Sequence, residues 1–156
     1  MITENTVSSD EVMIEAPVEL VWKILTDFDN YSKWNGFCPS ATVETLTLGT
    51  AVDMMVDLGH GPSRQIEYLC RIEPNQCIAW QMENKPDDPV HAVRSQYLKR
   101  LDDTRCSYVS IDEFSGPGTP SMMEAFAANV EAGFNRCAYD LKAYAEQQFR
   151  ACAQQQ

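Results

Sequence analysis

TPSMMEAFAANVEAGFNRCAYDLKAYAEQQFR, residues 119–150, decides the architecture of this chain. Gly116-Pro117-Gly118 stops whatever precedes it. Thr119 offers an N-cap with Pro120 in the first helical position, and Ser121 with Glu124 offers an overlapping capping box. Apolar residues then recur at helical spacing: Met123, Phe126, Ala127, Val130, Phe134, Cys137, Ala138, Leu141, Ala145 and Phe149. Glu124, Glu131, Arg136, Asp140, Lys142 and Glu146 fall mainly on the other side, which predicts one amphipathic helix. At about 1.5 Å per residue it would run roughly 45 Å. A compact chain of this length has a radius of gyration of only about 15 Å. Such a helix spans the whole domain, and something must cover one side of it from end to end.

Upstream, the punctuation is that of strands. Val7 to Glu15 reads as a first strand. Ala16-Pro17 then starts a short helix with Val18, Val21, Trp22 and Leu25 as its buried stripe, and Asp27-Phe28-Asp29-Asn30 breaks it. A second short helix, residues 30–35, carries Tyr31 and Trp34. Thr42 to Leu46 is extended. Val52, Met54, Val56 and Leu58 alternate with Asp53 and Asp57, and Ile66, Tyr68, Cys70 and Ile72 alternate with Glu67 and Arg71. Ile78, Trp80 and Met82 form the inner set of the next strand. His91 to Leu101 and Arg105 to Phe114 make a hairpin across Asp102-Asp103-Thr104. The order is strand, two helices, six strands, long helix. It predicts an α+β domain over residues 7–150, with a bent antiparallel sheet of about seven strands wrapped on the C-terminal helix, because a flat sheet would not cover it.

The totals exclude several classes of function. The chain has 156 residues and a formal charge of −11, a sign that repels phosphate backbones and anionic membranes. No basic run relieves it locally, so nucleic acid is not an expected partner. The N-terminus lacks a basic segment followed by an apolar one, and no apolar run reaches spanning length; a cytoplasmic protein without membrane insertion is expected. Cys38, Cys70, Cys77, Cys106, Cys137 and Cys152 are scattered, with no Cys-x-x-Cys pair and only two histidines. They are expected to be reduced and to hold no metal. No cofactor motif is present, and the oligomeric state is open.

Ala16-Pro17-x-Glu19-x-Val21-Trp22, followed by Leu25-Thr26-Asp27-Phe28-x-x-Tyr31-x-x-Trp34-Asn35, resembles the opening of the START-like, polyketide cyclase/dehydrase (SRPBCC) superfamily. Ile72-x-Pro74, Trp80, His91, Thr104-Arg105 and Asp112-Glu113-Phe114-x-Gly116 fit the same pattern. The resemblance runs from about Val12 to Ala145 and implies the helix-grip fold. Members include aromatic polyketide cyclases, ubiquinone-binding proteins, lipid and hormone carriers and chaperone activators. The position two before Phe114 is often Glu in relatives and is Asp112 here.

A fold of this kind leaves a cavity between sheet and helix, and strand alternation names its lining. With Phe114 inward, Asp112, Ser110 and Tyr108 share its face. On the partner strand the expected inward set is His91, Val93, Ser95 and Tyr97, with Arg94 on the outer face. The helix contributes Met123, Phe126, Val130 and Phe134, and Trp34 with Asn35 stands at the mouth. The residue types support acid–base chemistry in an apolar cavity, by Asp112, Tyr97 or His91. They compose no nucleophile triad, phosphate loop or metal site. The leading expectation is a binder of a hydrophobic or polyketide-like small molecule that, if an enzyme, cyclises or dehydrates it. The alternatives are a non-catalytic lipid or quinone carrier, and an interaction module whose pocket is filled.

Overall fold

Val7, Val12 and Ile14 are buried at the start of the chain because two short strands, β1 (Thr6–Ser8) and β2 (Val12–Ile14), both lie against the last strand. The computed structural model describes residues 1–155. After β2 come α1 (Val18–Thr26), a 3-10 helix (Phe28–Lys33), β3 (Ser40–Thr42) and β4 (Ala51–Asp57). Then follow β5 (Pro62–Glu73), β6 (Cys77–Gln81), β7 (His91–Asp102), β8 (Arg105–Ser115) and α2 (Thr119–Gln154). The strands form one antiparallel sheet in the order β1-β8-β7-β6-β5-β4-β3, with β2 also on β8. α2 packs across one face and buries Val130, Phe134, Cys137, Ala138, Leu141 and Ala145. This is the helix-grip arrangement.

Three local expectations need correction. The sheet has eight strands, because the expected first strand is interrupted at Ser9. There the Ser9 amide donates to the Ser110 carbonyl (2.9 Å) while the Ser9 hydroxyl accepts from the Ser110 amide (3.0 Å), so a side chain replaces one rung of the ladder. β3 stops at Thr42: the Thr45, Thr47 and Thr50 hydroxyls bond one another at 2.8–3.3 Å, which holds residues 43–50 in turns. Thr119 is not the N-cap of α2. Gly118 takes that place without any side-chain cap, donating its amide to the Pro89 carbonyl at 2.7 Å, and the Thr119 hydroxyl is buried without a partner.

The register of β7 is the correction with functional weight. β8 points as expected, with Tyr108, Ser110, Asp112 and Phe114 toward α2. Their partners are Leu98, Gln96, Arg94 and Ala92, and residues directly opposite in an antiparallel pair share a face. The inner set of β7 is therefore even-numbered, and His91, Val93, Ser95 and Tyr97 face away. At the turn Asp102 pairs with Arg105, and continuing from that pair would put Ser95 opposite Asp112. One residue further the register shifts, Arg100 pairs with Cys106, and Leu101 is left over as a bulge. That single extra residue turns the strand over and carries Arg94 inside. A second bulge, at Cys70 on β5, places Glu67 and Leu69 inward above it and Ile72 inward below it. Ile66 is consequently exposed on the other face.

Candidate functional site

Between α2 and the sheet lies a cavity of about 620 Å³. Its walls are mostly apolar: Met54, Val56 and Leu58 from β4 and its end, Trp80 and Met82 from β6 and its end, and Phe114 from β8. Phe37 enters from the loop after the 3-10 helix, and Met122, Phe126, Val130 and Phe134 project from α2. The last four recur every four residues, which is why Met122 lines the space and the expected Met123 does not. Phe126 is 50 % exposed and stands at the mouth, whereas Val130, Phe134 and Leu141 are buried as expected. Phe37 and Phe134 meet edge to face with centroids 5.5 Å apart.

The polar residues of the wall are Gln65, Glu67, Arg94 and Asp112. Arg94 is 5 % exposed and its guanidinium lies over three rings, at 4.3 Å from the Phe134 centroid, 5.3 Å from Phe37 and 5.5 Å from Trp80. Its Nε donates to the Ser110 hydroxyl at 2.9 Å. Asp112 Oδ1 is shut off from water and has no hydrogen-bond partner. Burial, reinforced by the charge of Glu67, pushes the Asp112 carboxyl up to about 7, with Arg94 acting the other way. Burial likewise pushes Glu67 up to about 7, again opposed by Arg94. Two carboxyls poised near neutrality on one wall can each give or take a proton.

Of the residues expected at the site, Asp112, Phe114, Phe126, Val130 and Phe134 come together at the cavity. Ser110 sits just behind, fully buried, holding Arg94. Tyr108 is deeper: its hydroxyl donates to Gln96 Oε1 at 2.7 Å, beside the Cys137 sulfur at 3.9 Å. Tyr97 lies on the opposite face with the Arg71 guanidinium 5.7 Å from its ring centroid, in a separate groove. Ser95 is buried on that face, opposite Ala79 and Ile111. His91 opens β7 and its Nε2 meets the Lys85 carbonyl at 2.6 Å, away from the cavity. Trp34 stacks on Tyr144 and meets Tyr31 edge-on, closing the helix corner. Asn35 Oδ1 accepts from the Phe37 and Cys38 amides at 3.1 and 2.8 Å, which fixes the loop that delivers Phe37. Sequence reasoning missed Arg94 and Glu67. For Glu67 a signal existed: three consecutive apolar residues, Tyr68-Leu69-Cys70, do not fit strict alternation and mark a bulge. For Arg94 the corresponding signal was Leu101, an apolar residue next to a turn that the structure leaves 44 % exposed.

The family described as "Polyketide cyclase / dehydrase and lipid transport" matches residues 6–146, nearly the whole chain. The chain belongs to this family. As a polyketide cyclase/dehydrase and lipid transport family member, it has a fold that binds hydrophobic ligands. No curated protein matches it. Among solved structures it resembles the ZhuI aromatase/cyclase from Streptomyces sp. R1128, with a TM-score of 0.73 and 22 % identity over 94 % of this chain and 96 % of that one. Protein NE0264 from Nitrosomonas europaea gives a TM-score of 0.70 at 16 % identity, over 95 % and 98 % of the two chains. The di-domain ARO/CYC StfQ of the steffimycin biosynthetic pathway gives 0.65 at 13 % identity, over 93 % of this chain and 52 % of its own. At these identities the likeness is one of fold. No helix of the described residues is long and apolar enough to cross a membrane.

Proposed function

We propose that this family member binds a polyketide-like hydrophobic molecule in the cavity and assists its cyclisation or dehydration, with Asp112 moving the proton. The observation that carries this reading is the placement of Asp112: an unpartnered carboxyl, poised near neutrality, on the wall of a mostly apolar space. Cyclisation of a poly-β-carbonyl chain needs a proton removed from one carbon and another delivered to the accepting carbonyl oxygen. Dehydration needs one removed from the adjacent carbon and one delivered to the departing hydroxyl. A group half-protonated at neutral pH serves either step, and the cavity supplies the folded, water-poor conformation that makes the intramolecular attack probable. Glu67 is the second group of the same kind. Tyr97 and His91 face elsewhere, which leaves the two carboxyls as the proton carriers of this reading. An open cavity of this size also disfavours an interaction module with a filled core.

Native mass spectrometry of freshly purified protein tests the binding half: a co-purifying hydrophobic mass is expected, and it should vanish in Val130→Trp, which fills the cavity. Asp112→Asn tests the chemical half. With a substrate in hand it should fold and bind, yet turn over at least about a hundredfold more slowly, the usual size of general acid–base assistance. Unchanged turnover would remove Asp112 from the chemistry. Binding with no turnover in the unmodified protein would leave a carrier as the better account.

A further inference from the structure

Arg94 carries more charge than that reading uses. A guanidinium stays protonated in any protein environment. This one is buried, and its Nη2 is shut off from water without an acceptor. None of the ion pairs among the described residues includes it. Three ring faces and one serine hydroxyl offset part of the cost of enclosing a cation, but they bring no opposite charge.

The titratable groups facing Arg94 come from every element around it. Tyr108 and Asp112 belong to β8, Glu67 to β5, Cys137 to α2, Tyr31 to the 3-10 helix and Cys38 to the loop after it. Burial raises both tyrosines and both cysteines, which stay neutral. Asp112 and Glu67 alone can supply negative charge, and burial makes both reluctant to do so. In mildly acid solution the wall therefore holds one cation and two neutral acids, net +1. In mildly alkaline solution it holds one cation and two anions, net −1.

We propose that the cavity's ligand carries an anionic oxygen, as a carboxylate or the enolate of a β-dicarbonyl, that seats against Arg94, and that ionisation of Asp112 and Glu67 drives it off. The inference rests on the cavity reading above and adds the chemical class of the ligand's polar end. An apolar body fills the space among Met54, Val56, Met122 and Val130. The anionic oxygen supplies the counter-charge that the protein itself withholds, and rising pH sets two carboxylates in competition for the same guanidinium.

Dansyl-undecanoate and its methyl ester, which differ only in the charged end, provide the test by fluorescence titration. At about pH 6 the acid should bind roughly tenfold or more tightly than the ester, the size of a charge-assisted contact. At about pH 8 that preference should shrink. Arg94→Met, which keeps the aliphatic stem, should abolish the preference. Asp112→Asn with Glu67→Gln, a variant that does not depend on the Arg94 substitution folding, should retain it at about pH 8. Equal affinities for acid and ester in the unmodified protein would overturn the inference while leaving a hydrophobic cavity in place. A preference that still collapses with pH in the Asn/Gln variant would overturn the ejection step. Failure of both probes to bind would sink the cavity reading, and this inference with it.

Discussion

Asp112 and Glu67 are single residues whose burial should be readable in the stability of the whole protein. The native state keeps their protons up to about pH 7, whereas an unfolded chain releases them near pH 4. Between those values the native state binds more protons than the unfolded one, so stability falls as pH rises through the window. The two groups together should cost about 5 kcal/mol on going from pH 5 to pH 8. Asp53, Asp102 and Glu146 are held below the ordinary range, and the stability they contribute is lost only at lower pH, as they protonate. Urea unfolding of the unmodified protein at the two pH values should show the drop, and Asp112→Asn with Glu67→Gln should flatten it. A protein equally stable at both, with no response to the double substitution, would mean that neither carboxyl is desolvated as described.

Among the elements, α2 shows how packing overrides local preference. Gly133 sits mid-helix, where alanine would ordinarily be better by about 1 kcal/mol. A Cβ there would collide with the Phe37 ring, whose backbone is fixed by Asn35. Gly133→Ala should therefore destabilise the protein, by about 1–3 kcal/mol, and shift the ring that closes the cavity. Phe134→Ala should cost roughly 3 kcal/mol, because it removes a buried ring, an aromatic contact and the nearest face of the Arg94 cage. Denaturant midpoints at constant slope would measure both; a stabilised Gly133→Ala would show that Phe37 is free to move.

The same scale explains what was legible from sequence. Helix α2 could be read from its period alone, since apolar residues from Phe126 to Ala145 have one face to cover. The strands could be read from alternation, and the face of β8 from Phe114. Alternation is blind to its own phase where both faces are polar or half-buried. Arg94, Ser95, Gln96 and Tyr97 offer no apolar stripe to fix it, and one bulged residue at Leu101 decided it. Because a one-residue slip inverts every side chain, the error moved the whole strand at once: it hid Arg94 and promoted Tyr97, Ser95 and His91. The aromatic contacts that make Arg94 tolerable inside, Phe37 and Phe134, lie far apart in sequence and are brought together only by the fold.

At the scale of the whole molecule, all six cysteines are free, four of them buried, Cys70 intermediate and Cys152 exposed near the end of α2. Cross-links contribute nothing to stability, so the melting temperature should be the same with and without dithiothreitol. A native thiol titration should find Cys152 reacting first and the buried four only on unfolding. A marked drop in melting temperature on reduction would reveal a disulfide that this structure lacks.

The placement of β1 and β2 against β8 has a consequence for how the protein is made. Residues 6–14 leave the ribosome about a hundred residues before their partners at 106–113, which are among the last strand residues to appear. For most of synthesis the opening segment has no ladder to join, and the sheet can grow only from the β4–β5 hairpin toward β8. The final steps then close the sheet with its oldest segment and lay its newest, α2, across the inner face. Contacts between opposite ends of a chain form slowly, because the intervening loop must be closed before they yield any stabilisation. Nascent chains halted before residue 105 should thus remain protease-sensitive at their N-termini, and protection there should arrive late, together with that of the long helix.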